Sequence, residues 1–323
     1  MKILITGAGG FIGSHMVERC VMQGYDTRAF VRYKSNNQWG WLENSKYIHD
    51  FEIITGDIRD YDSVRKAISG CNAVIHMAAL IGIPYSYISP LAYVKTNIEG
   101  TYNVLEASRE HSLRNVIITS TSETYGSAQY VPIDEKHSYV GQSPYSATKI
   151  AADQLAKSYH KSFHVPVTIA RPFNTYGPRQ SARAVIPAVV SQILKGDGEI
   201  KLGNVTPTRD LTFVEDTVNA FIEILKNDSL RGEAVNIGNN EEISIGNLAE
   251  LIAHIMKKEI SVVTDENRVR TNASEVDRLR CDNTKIMENT SWKPRVSLNE
   301  GLERTIQWIE AHLDTYKPEM YNV

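Results

Sequence analysis

Aliphatic runs of strand length alternate with amphipathic stretches of helix length through the first two thirds of the chain. KILIT (2–6) leads into FIGSHMVERCVMQ, and TRAFV, EIITGD, SVRKAI and AVIHMAA follow. A long helix expected over about 93–111 and the run NVIIT come next. Strands that are apolar throughout belong to a parallel sheet with helices on both faces. The pattern therefore predicts an α/β fold with a doubly wound parallel sheet. Beyond Arg179 the alternation loosens, and helices are expected near 184–194, 215–225 and 245–256, between short strands and Gly/Pro turns. No Ser/Gly/Pro-rich hinge separates the two regions. A smaller lobe made mainly of residues 179–323 is expected to interleave with the sheet formed mainly by residues 1–178.

The first chemistry sits between the first strand and the first helix, where residues 6–13 read TGAGGFIG. In such a turn Gly7 permits the tight bend, Gly10 lets the backbone approach a pyrophosphate, and Gly13 lets helix and strand pack closely. The helix N-terminus adds positive partial charge. A glycine-rich turn without a ligand is the plain alternative, but strand before and helix after favour a Rossmann-type dinucleotide site. Asp57 in GDIRD ends the third strand, where a carboxylate can accept from an adenine amino group. HMAAL (76–80) ends the fourth strand beside the expected pyrophosphate path. The second strand ends in AFVRYKS, with Arg32 where such folds usually offer an acid to the ribose hydroxyls. Arg32, with Lys34 and Ser35, suits a 2′-phosphate and so points to NADP over NAD; a solvated arginine beside the ribose is the other reading.

Bulk properties narrow the partners. With 323 residues, of which 42% are hydrophobic, the chain can core one large domain or two packed lobes. A net charge of −3 gives no general attraction for nucleic acid or an anionic membrane, so any phosphate must be met by local groups. No apolar run reaches the roughly 18 residues that span a bilayer. MKILITGAGG reads as a strand entering a turn rather than an export signal, which suggests a cytoplasmic protein. Cys20, Cys71 and Cys281 lack metal or redox spacing and are expected to be buried thiols.

In TSTSETYG (119–126) a single carboxylate, Glu123, stands among hydroxyls, and YSATK (145–149) follows. Tyr145 and Lys149 are four residues apart and share a helix face. An ammonium near a phenol favours phenolate, so Tyr145 is expected to have a lowered pKa and to act as a base toward a sugar hydroxyl.

Taken in order, TGAGGFIG, HMAA, TSTSETYG, YSATK, RPFNTYGPRQ and TRDLTFVED resemble the extended short-chain dehydrogenase/reductase superfamily, specifically its nucleotide-sugar epimerases and dehydratases. The similarity runs from Met1 through WKPRVSLNEGLERTIQW. It implies a tightly bound NAD(P), with NAD the family default, held by Gly7, Gly10, Phe11, Ile12, Gly13, Arg32, Asp57, Ile58, Ala78, Ala79, Tyr145 and Lys149. It also implies that Thr121 hydrogen-bonds the sugar O4 while Tyr145 removes its proton. Glu123 separates the activities: a 4-epimerase needs no carboxylate there, whereas a 4,6-dehydratase needs a base for the C5 proton. In dTDP-glucose 4,6-dehydratases an Asp precedes this Glu. Here Ser122 does, as in GDP-mannose 4,6-dehydratases, where the Glu and a hydroxyl or water handle both protons. UDP-glucuronate decarboxylases share a similar segment but place an Arg near the tyrosine motif, and YVGQSPYSATK carries none.

On the substrate side the resemblance points to Pro84, Thr121 and Asn174, with Arg179 close behind. Arg209 and Arg278 are the candidates to grip a diphosphate through guanidinium forks, and Val185, Ile186 and Pro187 are candidates to cover the base. RYKSNNQWGWLE and RPFNTYGPRQSARAVIP are most similar to bacterial dehydratases on routes to legionaminic acid and 6-deoxy-HexNAc sugars. That similarity implies UDP-GlcNAc as substrate, and the family resemblance implies a homodimer built on the helices near 93–111 and 145–162. The competing readings are a C4 or C5 epimerase, a reductase of a 4-keto sugar, a UDP-glucuronate decarboxylase, and a dinucleotide-sensing regulator without chemistry. Intact Thr121, Tyr145 and Lys149 argue against the regulator.

Overall fold

The structure is a computed structural model and describes residues 1–196, 198–269 and 274–316. It opens with β1 (Lys2–Thr6), α1 (Phe11–Met22) and β2 (Asp26–Arg32), then β3 (Glu52–Gly56), α2 (Tyr61–Ile68) and β4 (Ala73–His76). Short helices α3 (Ile83–Ile88) and α4 (Pro90–Tyr93) lead through a π-helical stretch, Val94–Glu99, into α5 (Gly100–Glu110). Next come β5 (Asn115–Thr119), a 3-10 turn over Ser122–Tyr125, α6 (Pro144–Phe163), β6 (Val167–Pro172) and β7 (Asn174–Tyr176). The second half adds α7 (Val185–Lys195), β8 (Glu199–Leu202), β9 (Thr208–Arg209), β10 (Leu211–Phe213), α8 (Val214–Lys226) and β11 (Ala234–Ile237). It continues with β12 (Ile243–Ser244), α9 (Ile245–Ile255), β13 (Ser261–Thr264), α10 (Thr284–Asn289) and α11 (Leu298–Ala311).

Seven strands form one parallel sheet in the order β11-β6-β5-β4-β1-β2-β3. The chain runs outward from β1 in both directions, so the doubly wound sheet read from the sequence is present. Alternation along β1 explains the two helix layers. Ile3 and Ile5 pack with Met16, Val17 and Phe221 of α1 and α8 on one face, whereas Leu4 packs with Val64, Val104 and Ala156 of α2, α5 and α6 on the other. A third core gathers Ile186, Val189, Phe213, Leu248, Ile252 and Leu302 from α7 to α11. Strand β11, far along the chain, closes the main sheet beside β6, in register Ala234↔Ile169.

The helix expected over 93–111 starts earlier, at Pro90, and is interrupted by the π-helical stretch. The irregular turn carries Asn97 into the interior, where its amide donates to the Leu80 carbonyl (3.0 Å) and the Thr148 hydroxyl (3.1 Å) and accepts from Leu80 N (2.9 Å). A single buried side chain thus ties α6 to the segment leaving β4. Helix α6 is well started, with a reciprocal Ser143/Ser146 cap and Pro144 at its first position. All three cysteines are buried. Among the described residues no helix is long and apolar enough to cross a membrane, and no His/Cys/Asp/Glu group is arranged to hold a metal ion.

Candidate active site

The sheet order reverses between β1 and β4, and a crevice at the carboxyl ends of strands on either side of such a reversal is where ligands enter these folds. The two strand ends are stitched together there. Thr6 Oγ1 accepts from the backbone N–H groups of Met77 and Ala78 (both 3.1 Å) and lies 2.8 Å from His76 Nδ1. Gly7 has φ +68°, and a Cβ on it would come within 2.8 Å of Ala78 N, so only glycine fits the turn. A Cβ on Gly13 would come within 2.2 Å of the Gly7 carbonyl, which is the close helix–strand packing expected of that position.

From this point a cleft of about 1210 Å³ extends across the molecule. It exceeds the roughly 300–1,000 Å³ of a site for one small ligand, leaving room for two. Its first end is walled by Gly7, Gly10, Phe11, Ile12, Gly13, Arg32, Asp57, Ile58, Ala78 and Ala79. Thr121, Glu123, Tyr145 and Lys149 line its middle, and Pro84, Asn174, Val185, Ile186 and Arg209 line the far part. The first end suits a dinucleotide. Helix α1 begins there with no side-chain cap and no acidic residue in its first turn, so free N–H groups and the positive helix end face the cleft. Orphaned polar atoms, Thr119 Oγ1, Asn174 Oδ1 and Gln180 Oε1, are buried in the same walls without a protein partner.

Four expected residues lie elsewhere. Ser122 is buried and does not reach the cleft. Arg179 has a left-handed backbone (φ 71°) that turns its side chain onto α1, where it pairs with Glu18 (2.9 Å) and donates to Ser14 Oγ (3.1 Å). Arg278 is half-exposed and paired with Glu242 (2.5 Å), outside the cleft wall. Pro187, expected over the base, is likewise absent from the lining. Arg209 is in the wall; its guanidinium donates to the carbonyls of Thr208 (2.9 Å) and Val276 (2.8 Å) and meets Glu275 at 3.4 Å.

Other residues had not been singled out. Arg59 grips Asp57 through its side chain (2.9 and 2.5 Å) and its backbone N–H (2.9 Å), and this bond is the largest influence holding the Asp57 carboxyl below its ordinary range. The i, i+2 spacing in GDIRD was the available signal. Arg183 enters the cleft opposite α3, where its guanidinium lies so close over Gly82 that a side chain there would collide with it. Trp39 and Gly40 of the RYKSNNQWGWLE stretch pack on the glycine turn, with Trp41 N donating to the Gly9 carbonyl (3.1 Å).

The electrostatics of the middle differ from expectation. Tyr145 is buried, and burial pushes its phenol well above the ordinary value, against a hydrogen bond from Thr121 that pulls it down; Glu123 and Tyr93 push it further up. The expected lowering is therefore not produced by the protein's own groups. Burial pulls Lys149 down to about 8, with Asp153 opposing, and its ammonium donates to the Thr119 carbonyl (2.6 Å). His76 is pulled down to about 3 by burial and then by Lys149, so it is neutral near pH 7. Its bonds fix the tautomer: the Thr101 hydroxyl is committed to the Asn97 carbonyl (2.6 Å), so it accepts from His76 Nε2–H (3.2 Å), and His76 Nδ1 accepts from the Thr6 hydroxyl.

The family profile described as GDP-mannose 4,6 dehydratase matches residues 4–305. A UDP-N-acetyl-alpha-D-glucosaminuronate decarboxylase from Bacillus cytotoxicus is 30% identical over 95% of this chain and 97% of its own. Two solved structures superpose over nearly the whole length. UDP-glucuronic acid 4-epimerase from Bacillus cereus, in complex with UDP-glucuronic acid and NAD, has TM-score 0.87 and 30% identity, over 97% of this chain and 100% of that one. The dTDP-glucose 4,6-dehydratase DesIV from Streptomyces venezuelae, with NAD bound, has TM-score 0.89 and 26% identity, over 99% of this chain and 100% of that one.

Proposed function

The chain belongs to the nucleotide-sugar dehydratase and epimerase family of extended short-chain dehydrogenase/reductases, and from that premise we propose that it is a nucleotide-sugar 4,6-dehydratase. The substrate we assign is UDP-GlcNAc and the product UDP-4-keto-6-deoxy-GlcNAc. The observation that carries the assignment is Glu123, a carboxylate in the wall of the same cleft as Thr121 and Tyr145. A 4-epimerase has no use for a base at that place, whereas loss of water across C5–C6 requires one.

The nicotinamide cofactor, when bound, accepts and returns a hydride with no net redox change, which fits tight retention. The chain's own groups handle the protons. Thr121 holds the sugar O4, and Tyr145 takes the O4 proton beside the Lys149 ammonium. Glu123 removes the C5 proton, acidified by the C4 ketone, and delivers a proton to the departing C6 hydroxyl. Asn174 and Arg209 are assigned to the diphosphate sugar, and Val185 with Ile186 to the base. Arg32 and Lys34, both at the cofactor end of the cleft, favour NADP over NAD. A cytoplasmic setting and a homodimer complete the reading; Leu91, Val94, Tyr102 and Phe163, exposed apolar residues of α4 to α6, are offered as its contact face.

Arg183 supports a second reading, because a guanidinium in the cleft suits a C6 carboxylate and so a uronate epimerase or decarboxylase. Incubation of the purified protein with UDP-GlcNAc and no added cofactor, followed by mass spectrometry and NMR, separates the two. Loss of one water with a new C6 methyl signal supports the dehydratase. No reaction with UDP-GlcNAc, together with turnover of UDP-glucuronate, supports the second reading and refutes the first.

A further inference from the structure

Outside the cleft lining, two opposite charges are fully buried. Arg171 of β6 and Asp153 of α6 pair at 2.6 Å with no exposed side-chain surface on either. Such a pair is no efficient source of stability, because desolvating both ions offsets most of their attraction. Its partners suggest another purpose. Arg171 donates from Nε to Ser120 Oγ (3.4 Å), from Nη1 to the Tyr125 hydroxyl (2.5 Å), and from Nη2 to the Tyr139 hydroxyl (2.8 Å) and Asp153. Ser120 and Tyr125 bracket the segment that carries Thr121 and Glu123. Ser120 in turn donates to Asp153 Oδ2 (2.8 Å).

Asp153 follows Tyr145 and Lys149 at steps of four on α6, and all three are buried on one face of that helix. Its second oxygen, Oδ1, is buried without a hydrogen-bond partner, so part of its charge is not quenched locally. Asp153 of α6 and His76 of β4 interact with Lys149, Glu123 of the 3-10 turn and Tyr93 of α4 act on Tyr145, and Arg171 of β6 pairs with Asp153. Of these His76 is neutral, and Asp153 opposes the downward pull of burial on the lysine.

We infer that Arg171 and Asp153 are positioning residues for the reaction: Arg171 fixes the Thr121–Glu123 segment against α6, and Asp153 is the countercharge that keeps the Lys149 ammonium protonated beside Tyr145. The inference rests on the roles given to Tyr145 and Lys149 above, but the test of the countercharge does not depend on turnover.

The protein is labelled with [13Cε]lysine, the Lys149 resonance is assigned by its loss in Lys149→Arg, and its titration is followed by NMR. The wild-type midpoint is expected near 8. In Asp153→Asn it is expected to fall by about one pH unit or more, which is a tenfold change in the protonation equilibrium constant, and Asp153→Glu is expected to restore most of it. Where Asp153→Asn is too unstable, Asp153→Ser, which removes the carboxylate, keeps the Arg171 charge and leaves a hydroxyl toward the Arg171 fork, supplies the same reading. An unshifted midpoint in either folded variant overturns the countercharge. Arg171→Lys, which keeps the charge and loses the fork, is expected to leave the midpoint in place and lower kcat about tenfold or more with KM little changed. Unchanged kcat overturns the positioning role of Arg171. If no nucleotide sugar is turned over at all, the functional reading fails while the titration still decides the countercharge.

Discussion

Replacing Thr6 by Val keeps the shape of the side chain and removes one oxygen that serves three partners. The hydroxyl accepts from Met77 N and Ala78 N and donates to the neutral ring of His76. Valine leaves all three groups unpaired. A buried polar group stripped of its partner destabilises by about 1–3 kcal/mol. Met77 and Ala78 are only half-buried, so water can recover part of the loss and the low end applies. Three groups at about 1 kcal/mol each give roughly 3 kcal/mol, or a melting temperature lower by about 4 °C for a chain of this size. The same two N–H groups shape the cleft next to Gly7, so affinity for the dinucleotide is expected to fall as well. Urea melts read the first effect and isothermal titration with NAD and NADP the second. A loss below about 0.5 kcal/mol with unchanged affinity would refute the claim that this hydroxyl joins β1 to β4.

Glu123→Gln is expected to leave the melting temperature within a few degrees and to slow water elimination by roughly 10²–10⁴-fold, read by mass spectrometry; near-normal turnover removes Glu123 as the C5 base. Arg183→Ala is expected to raise KM for a uronate substrate by tenfold or more, an effect of about 1.4 kcal/mol, while changing KM for UDP-GlcNAc less; equal effects on both would show that Arg183 does not read C6. His15, pulled down to about 4 by burial and then by Arg179, makes the folded state resist protonation. Between about pH 4 and 6.5 the unfolded chain then binds more protons, so stability falls as pH drops through that window, by at most about 1.4 kcal/mol per pH unit for one group. His15→Gln is expected to flatten the slope of urea stability against pH, and an unchanged slope would show that His15 does not titrate as its surroundings imply.

The parts of the site legible from the sequence are those that local geometry determines. Gly7 and Gly13 could be placed because a tight strand–helix turn imposes their spacing, and Tyr145 with Lys149 because four residues make one helical turn. The arginines could not be sorted that way. Arg179 and Arg183 stand four apart in one loop, yet the first is drawn back onto Glu18, more than 160 positions earlier in the chain, and only the second enters the cleft. Arg278 looks equally suited to a diphosphate until Glu242 is seen beside it. The direction of the Tyr145 shift was misread for a related reason: the spacing displayed the neighbouring lysine, whereas the burial that dominates comes from Ile83, Tyr93 and Leu80, which reach the tyrosine from other segments.

The position of β11 has a consequence for synthesis. During translation β6 is complete some sixty residues before its outer neighbour exists, because Ala234–Ile237 follows Val167–Pro172 at that distance. At about 5–20 residues per second the wait lasts several seconds. Throughout it the nascent chain presents the open outer edge of a strand, VTIARP, that is buried along its whole length in the finished protein. Ribosomal pausing or premature termination between these two strands would release a chain with an open sheet edge. Polypeptides ending there are expected in the insoluble fraction or bound to chaperones, while those reaching past Ile237 can close the sheet.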